Sequence, residues 1–414
     1  MNFLYSSLVA IADAVLPITG FFSPKMKRFV DGRKQVFDTL KQIRPTDQVI
    51  WFHAASLGEF EQGVPVIEAY KAEHPTDKIL VSFFSPSGYE VRKNTPLADW
   101  VVYLPLDRPK YVKRFLDLAH PKLAFFIKYE FWPNFLAELQ KRKIRTFLLS
   151  GIFREKQAFF KPYGGFYRKA LGAFEHFFLQ NTHSQNLLQQ IGYTNSTVAG
   201  DTRFDRVAAI ETRDNHVPHL DEFKAGKKLV VIGSSWPKDE ALLTEYINHT
   251  SADVKFIFAP HNIKPEQITE LQANLAVATV LHSEKAYDKW PTARVLIIDA
   301  VGFLTKVYSY ADVAYVGGGF GHPGVHNLLE PAVFNLPIVI GPNYAHFAEA
   351  IDLVQTQAAL VVEDTQQLRS VMNRLLEEPE FATQTGQLAG KYVQASKGAT
   401  EKVMHYLSNH HVRI

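Results

Sequence analysis

The sequence predicts an α/β protein built from two Rossmann-like, doubly wound parallel-sheet domains. Three observations lead there. Short, wholly apolar runs recur along the chain, stretches with helical spacing separate them, and the alternation pauses once before restarting. Strands buried on both faces read as continuous apolar runs, and strand–helix alternation implies a parallel sheet covered by helices. A chain of 414 residues is long enough for two such domains. With 46 % apolar and 21 % charged residues it can fill two cores, which argues against long disordered stretches.

The first element is a mostly apolar run from Phe3 to Phe22, followed at once by Lys25, Lys27 and Arg28. A spanning helix needs about 20 apolar residues. This run barely reaches that length, and Asp13 and Pro17 weaken it. Three readings stay open: a marginal membrane anchor, a hydrophobic helix lying in the interface, or a helix docked on the protein itself. The trailing positive cluster keeps the following chain on the cytoplasmic side, and a secretory signal would carry its charges ahead of the apolar run.

Val49–Ala55 is the first predicted strand, with a helix from Glu59 to about Lys71. Strands follow at Lys78–Phe84, Trp100–Leu104, Leu123–Lys128, Arg145–Leu149 and Phe177–Gln180, with helices at Arg108–Leu118 and Phe135–Lys141. The polar stretch 214–226 reads as a linker. The alternation then resumes with strands at Leu229–Gly233, Lys255–Pro260, Val277–Leu281, Val295–Ile298, Ala311–Gly317 and Pro337–Ile340. Helices follow Lys238, Pro265, Gly302, Asn327 and His346. The domain expectation is an anchor at 1–28, one domain at 29–213, the linker, and a second domain at 227–414. Two such halves imply a cleft, and ligands favour the carboxyl ends of the strands.

No cysteine is present, which excludes disulfides and thiolate metal sites. The net charge of +3 is small, but Arg108–Lys169 carries 15 Lys and Arg against 4 Asp and Glu. Such a basic face either attracts an anionic surface or is simply solvated.

Several strand ends carry candidate chemistry. Glu59, after Ser56-Leu57-Gly58, stands in a first helical turn, where the helix dipole favours an ionised carboxylate. It is either a general base or an aid to helix initiation. Glu130 and Asn134, in Lys128-Tyr129-Glu130-Phe131-Trp132-Pro133-Asn134, lie at the end of the fourth strand. Gly317-Gly318-Gly319-Phe320-Gly321 follows a strand directly and would let a phosphate approach the backbone. Its overlap with a dinucleotide fingerprint is discounted, because Pro323 interrupts it and no acid ends the next strand. A helix beginning near Asn327 would offer free amides, and Glu330 would accept bonds from ribose hydroxyls. Ser234 and Pro260-His261 close two more strands. His322 and His326 are spaced i, i+4 but lack a third ligand, so no metal site is expected.

In this order, these segments resemble the 3-deoxy-D-manno-octulosonic acid (Kdo) transferases, which use CMP-activated Kdo and lipid A precursors. The matching stretches are WFHAASLGEFEQGVPVIEAY, YEFWPN, NTHSQNLLQQIG, GSSWPKDE and GGGFGHPGVHNLLEPAVFNLPIVIGP, and the similarity covers nearly the whole chain, from about Trp51 to Ala395. The resemblance implies a GT-B glycosyltransferase with the lipid acceptor on the N-terminal domain and CMP-Kdo on the C-terminal one. It implies Glu59 as catalytic base. It implies nucleotide contacts at Pro260 and His261, at Gly302, Phe303 and Leu304, and at Asn327, Leu328, Leu329 and Glu330, with Ser234 and Gly319 lining the same pocket. It implies no cofactor, no metal and no nucleic-acid partner, and it places the chain on the cytoplasmic face of the inner membrane. Two motifs depart from the family. The family's Arg beside the Pro is missing from Pro260-His261-Asn262, and Phe303 replaces the acid of its Gly-Glu-Leu. The rival expectations are another GT-B transferase acting on a lipid-linked acceptor, or a non-catalytic sugar-lipid binding protein.

Overall fold

The computed structural model describes residues 2–19, 21–250, 253–322 and 324–410. Pro323, invoked above against the dinucleotide fingerprint, lies outside them. By its internal contacts the chain divides into Met1–Arg206 with Lys397–Ile414, and Val207–Ser396.

The first unit holds seven parallel strands: β1 (Val49–Ala54), β2 (Lys78–Phe83), β3 (Trp100–Tyr103), β4 (Leu123–Ile127), β5 (Arg145–Gly151), β6 (His176–Leu179) and β7 (Ser196–Val198). Their order is β3-β2-β1-β4-β5-β6-β7. The second unit holds β8 (Lys228–Ser235), β9 (Val254–Pro260), β10 (Thr279–Leu281), β11 (Val295–Ile297), β12 (Val313–Val316), β13 (Ile338–Ile340) and β14 (Ala359–Val361). Their order is β10-β11-β9-β8-β12-β13-β14, again parallel throughout. All twelve predicted strands are present. The edge strands β7 and β14 are additional.

Each sheet is buried on both faces because alternate residues point to opposite sides. Trp51, Leu80, Phe126 and Leu148 enter one core of the first unit. Their neighbours Phe52, Val81, Phe125 and Phe147 enter the other. Burying each such side chain contributes roughly 1.5–3 kcal/mol. Helix starts follow the sequence signals. Pro86, Pro109, Pro133, Pro237 and Pro265 each open a helix at its first or second position. Asn181 and Asp364 cap others through their side-chain oxygens.

The termini depart from expectation. Val217, Leu220 and Phe223, within the stretch read as a linker, are buried in the second unit's core. Three apolar anchors thus turn that polar segment into structure. The helix Ala399–Asn409, expected in the second domain, packs Val403, Met404 and Leu407 into the first unit's core. Asp205 fastens its start, accepting from the Gly398 and Thr400 amides at 2.5 and 2.7 Å and from the Thr400 hydroxyl at 2.8 Å.

The N-terminal run forms the helix Asn2–Thr19. Among the described residues no helix is long and apolar enough to cross a membrane. One side of this helix docks on its own unit. The Tyr5 hydroxyl donates to Asp107 Oδ2 at 2.9 Å, and Asp13 accepts from Arg108 and from the Tyr111 hydroxyl. Leu4, Leu8, Ile11, Val15 and Ile18, spaced at three and four residues, stay exposed. Phe21 and Phe22 extend that ridge at 89 % and 84 % exposure.

Candidate functional site

In a doubly wound sheet the ligand crevice opens where the strand order reverses, at the carboxyl ends of the two strands flanking that point. The orders above set one such point at β1/β4 in the first unit and another at β8/β12 in the second.

At the first point, β1 runs into Ser56, which caps the helix Leu57–Glu73. Glu59 is the third residue of that helix and half-buried. The Ser56 hydroxyl donates to Glu59 Oε2 at 2.5 Å, leaving the carboxylate's other oxygen outside that bond. Nothing stands within 4 Å of where a Gly58 side chain would begin, so the surface beside the acid is open. Tyr129, in the loop after β4, lies among charged groups. Tyr129 feels Arg154, Glu59, Arg203 and Asp201, and burial is the largest cause of its raised pKa. Arg154 donates to the Tyr129 hydroxyl at 3.2 Å, and Arg203 Nε to Asp201 Oδ2 at 2.9 Å. A carboxylate at a strand end can take a proton from a substrate hydroxyl, and the arginines around Tyr129 suit an anionic substrate.

Glu130 and Asn134 lie at the neighbouring strand end, with their polar atoms turned to the protein. Glu130 Oε2 accepts from Trp132 Nε1 at 2.8 Å and meets His53 Nε2 at 2.9 Å. His53 is itself fully buried, its Nδ1 2.8 Å from Ser82 Oγ. Asn134 donates from its amide to Asp107 Oδ2 at 2.9 Å and from its side chain to Asp107 O at 2.5 Å. These bonds tie the loop after β4 to β1 and to the loop after β3. Trp132 rests against Phe84, with ring centroids 4.7 Å apart.

At the second point, the backbone itself forms the crevice. Ser234 sits at φ +54°, a left-handed conformation that turns the chain at the end of β8. A side chain on Gly317 would begin 2.4 Å from Ser234 O, so glycine alone permits this approach. Gly318, at φ +94°, donates its amide to Asp239 Oδ2 at 2.9 Å. Asp239 is fully buried and also accepts from the Trp236 amide at 2.9 Å and the Tyr315 hydroxyl at 2.8 Å. Gly319 backs onto Gly341 in the loop after β13. His261 donates its amide to Ser235 O at 2.9 Å, joining the ends of β8 and β9.

The remaining expected donor residues fall around these loops. Gly302 has φ +89° and is exposed, and the Phe303 ring leans on His282 at 4.3 Å. Leu304 opens a helix of four residues, Leu304–Val307. Asn327 is exposed, and its side chain accepts from the Leu329 amide and donates to Glu330 Oε1, both at 3.1 Å. Leu328 and Leu329 are fully buried, and the Leu329 amide is already held by Asn327, so neither expected contact presents a surface to a ligand. The expected helix beyond Asn327 is a single turn, Leu329–Ala332, with the Asn327 side chain already on its amide. That end is therefore a capped turn rather than an open helix start. His322 and His326 do not share a helix: His322 is in a turn, and Gly324 to Asn327 have no regular structure. Sequence reasoning missed Asp239. Its signal was Pro237 followed two residues later by an acid, the mark of a capped helix start.

Comparison with known proteins bears on both sites. Residues 28–206, the first unit's sheet and both flanks of Glu59, match the family described as 3-deoxy-D-manno-octulosonic-acid transferase (kdotransferase). The 3-deoxy-D-manno-octulosonic acid transferase of Haemophilus influenzae is 25 % identical over 98 % of this chain and 98 % of its own. The enzyme of the same name from Chlamydia trachomatis serovar D is 28 % identical over 84 % of this chain and 83 % of its own. Among solved structures, a UDP-GlcNAc 2-epimerase from Neisseria meningitidis aligns with a TM-score of 0.60 at 14 % identity. It covers 87 % of this chain and all of that one. That likeness concerns the fold alone. Two seven-stranded parallel sheets in one α/β chain are the fold shared with that neighbour. The sequence resemblance extends over nearly the whole chain.

Proposed function

We propose that this relative of the Kdo transferases is a glycosyltransferase of lipopolysaccharide core synthesis, moving Kdo from CMP-Kdo to a lipid A precursor with inversion. The observation that carries the reading is the coincidence of Glu59, free to act at the β1/β4 switch point, with a segment of the family that matches on both sides of it. Glu59 takes the proton from an acceptor hydroxyl. That oxygen bonds to the anomeric carbon of Kdo, the bond to the CMP phosphate oxygen breaks, and CMP leaves with the electron pair. Arg154 and Arg203 hold the anionic acceptor near the base. Ser234, Pro260, His261, Gly302 to Leu304, Gly319, Asn327 and Glu330 take the donor, which two glycine-bordered loops admit close to the backbone.

The N-terminal helix adds the membrane. Its exposed ridge of Leu4, Leu8, Ile11, Val15 and Ile18, ending in Phe21 and Phe22, suits insertion into an interface with the helix lying flat. Lys27, Arg28 and the basic surface of Arg108–Lys169 suit anionic headgroups. We place the enzyme on the cytoplasmic face of the inner membrane on those grounds.

The test is transfer from CMP-Kdo to a lipid A precursor in detergent, with wild type and Glu59→Gln compared. Loss of a general base costs about 10²–10⁴-fold in rate. Activity in the wild type, with such a loss and unchanged CMP affinity in the variant, is expected. A variant as active as wild type removes Glu59 from the mechanism. A wild type that binds UDP but not CMP points to a different donor.

A further inference from the structure

Trp236 follows β8 as the residue capping the helix Pro237–His249. Its amide is held by Asp239, so its ring position is fixed from the backbone outward. The indole stacks on His261, with centroids 4.6 Å apart and planes inclined by 15°. Its Nε1 donates to His326 Nε2 at 2.8 Å. The two imidazoles are themselves 4.5 Å apart.

This contact has a definite chemical consequence. An indole nitrogen only donates. His326 Nε2 must therefore offer a lone pair, and in the neutral ring the proton sits on Nδ1. Free imidazole side chains favour the opposite tautomer. His326 Nδ1 has no hydrogen-bond partner among the described residues and is not sealed from solvent. The ring is placed for a ligand: the His326 amide donates to Gly317 O at 3.1 Å, so the ring stands beside the Gly-rich turn at the β8/β12 switch point.

We infer that Trp236 is a positioning residue that locks His326 as the Nδ1–H tautomer, offering that N–H to an anionic oxygen of the donor nucleotide. The inference rests on the donor reading given above. Burial, and secondarily the neighbouring His261, lower the His326 pKa to about 4. The ring is thus neutral at working pH and acts as a directed neutral donor, while charge on the leaving phosphate is met by fixed amides and this one N–H.

The tautomer can be read directly from imidazole ¹⁵N shifts in the free, full-length protein. Wild type should show a protonated Nδ1 and a bare Nε2 at His326. Trp236→Phe keeps an aromatic ring over His261 and removes the N–H. It should return His326 toward the Nε2–H form and weaken CMP about tenfold, the worth of one ordinary hydrogen bond. In a His326→Asn background the same Trp236 substitution should change CMP affinity no further. An unchanged tautomer in Trp236→Phe overturns the inference. So does a loss of CMP affinity that persists undiminished in the His326→Asn background, since Trp236 would then act by a route other than His326. If wild type shows the expected tautomer yet binds no CMP, the donor reading and the ligand assigned to this N–H both fall, while the Trp236–His326 lock stands.

Discussion

Replacing Asp239 tests whether one buried carboxylate organises the donor loops. Its Oδ2 accepts two backbone amides, Trp236 and Gly318, and its Oδ1 accepts the Tyr315 hydroxyl. The group is fully buried, so bulk solvent does not reach the donors it serves. Asp239→Ala orphans three donors, at about 1–3 kcal/mol each. Relief from desolvating a carboxylate returns part of that. The expected loss is about 3–5 kcal/mol. Asp239→Asn behaves differently. Its carbonyl oxygen can face both amides if its NH₂ faces Tyr315, whose hydroxyl then accepts instead of donating. The loss should be about 1 kcal/mol. Urea unfolding followed by amide exchange at β8 and β12 measures both, and CMP titration reports the loops. Equal losses for the two variants, or an alanine variant within about 1 kcal/mol of wild type, would refute this account of the network.

Two further outcomes are expected. Asp107 accepts from the Asn134 and Phe135 amides and from Tyr5, yet burial outweighs them and lifts its pKa from 3.8 to about 6. The folded state therefore holds the proton more tightly. This contribution is complete below about pH 4 and disappears as pH rises through about 6, with a ceiling of about 3 kcal/mol. Urea midpoints across that window should fall with rising pH in wild type and flatten in Asp107→Asn. The glycines form a contrast: a Gly317 side chain would begin 2.4 Å from Ser234 O and 2.6 Å from Ser235 Cα, whereas nothing lies within 4 Å at Gly58. Gly317→Ala should cost about 1–3 kcal/mol and lower CMP affinity. Gly58→Ala should gain up to about 1 kcal/mol from helix propensity, as thermal unfolding would show.

The predicted strands were legible because each central strand carries three or more consecutive apolar residues, where alternation would place a polar residue at every second position. β7, reading Ser-Thr-Val, and β14, reading Ala-Leu-Val, are three-residue edges whose pattern is too short to signal a period. Glu59 and the glycine loop were legible because a helix start and a strand end mark themselves locally. Trp236 and His326 are 90 residues apart, and no local pattern announces that their rings meet. His53 offered a faint clue as a polar residue inside Val-Ile-Trp-Phe-His-Ala, but its partner Glu130 stands 77 residues away. The C-terminal helix misled for the same reason. Its apolar stripe says that it packs, not against which sheet.

That helix has a consequence for synthesis. The first unit is discontinuous, and all of Val207–Ser396 is made before its last piece, Ala399–Asn409, leaves the ribosome. Domains usually fold in order of appearance. Here the earlier sheet waits with the pocket for Val403, Met404 and Leu407 uncovered, while the later sheet can close first. A nascent chain stalled before residue 399 would present a finished second unit and a first one whose apolar pocket still lacks its helix.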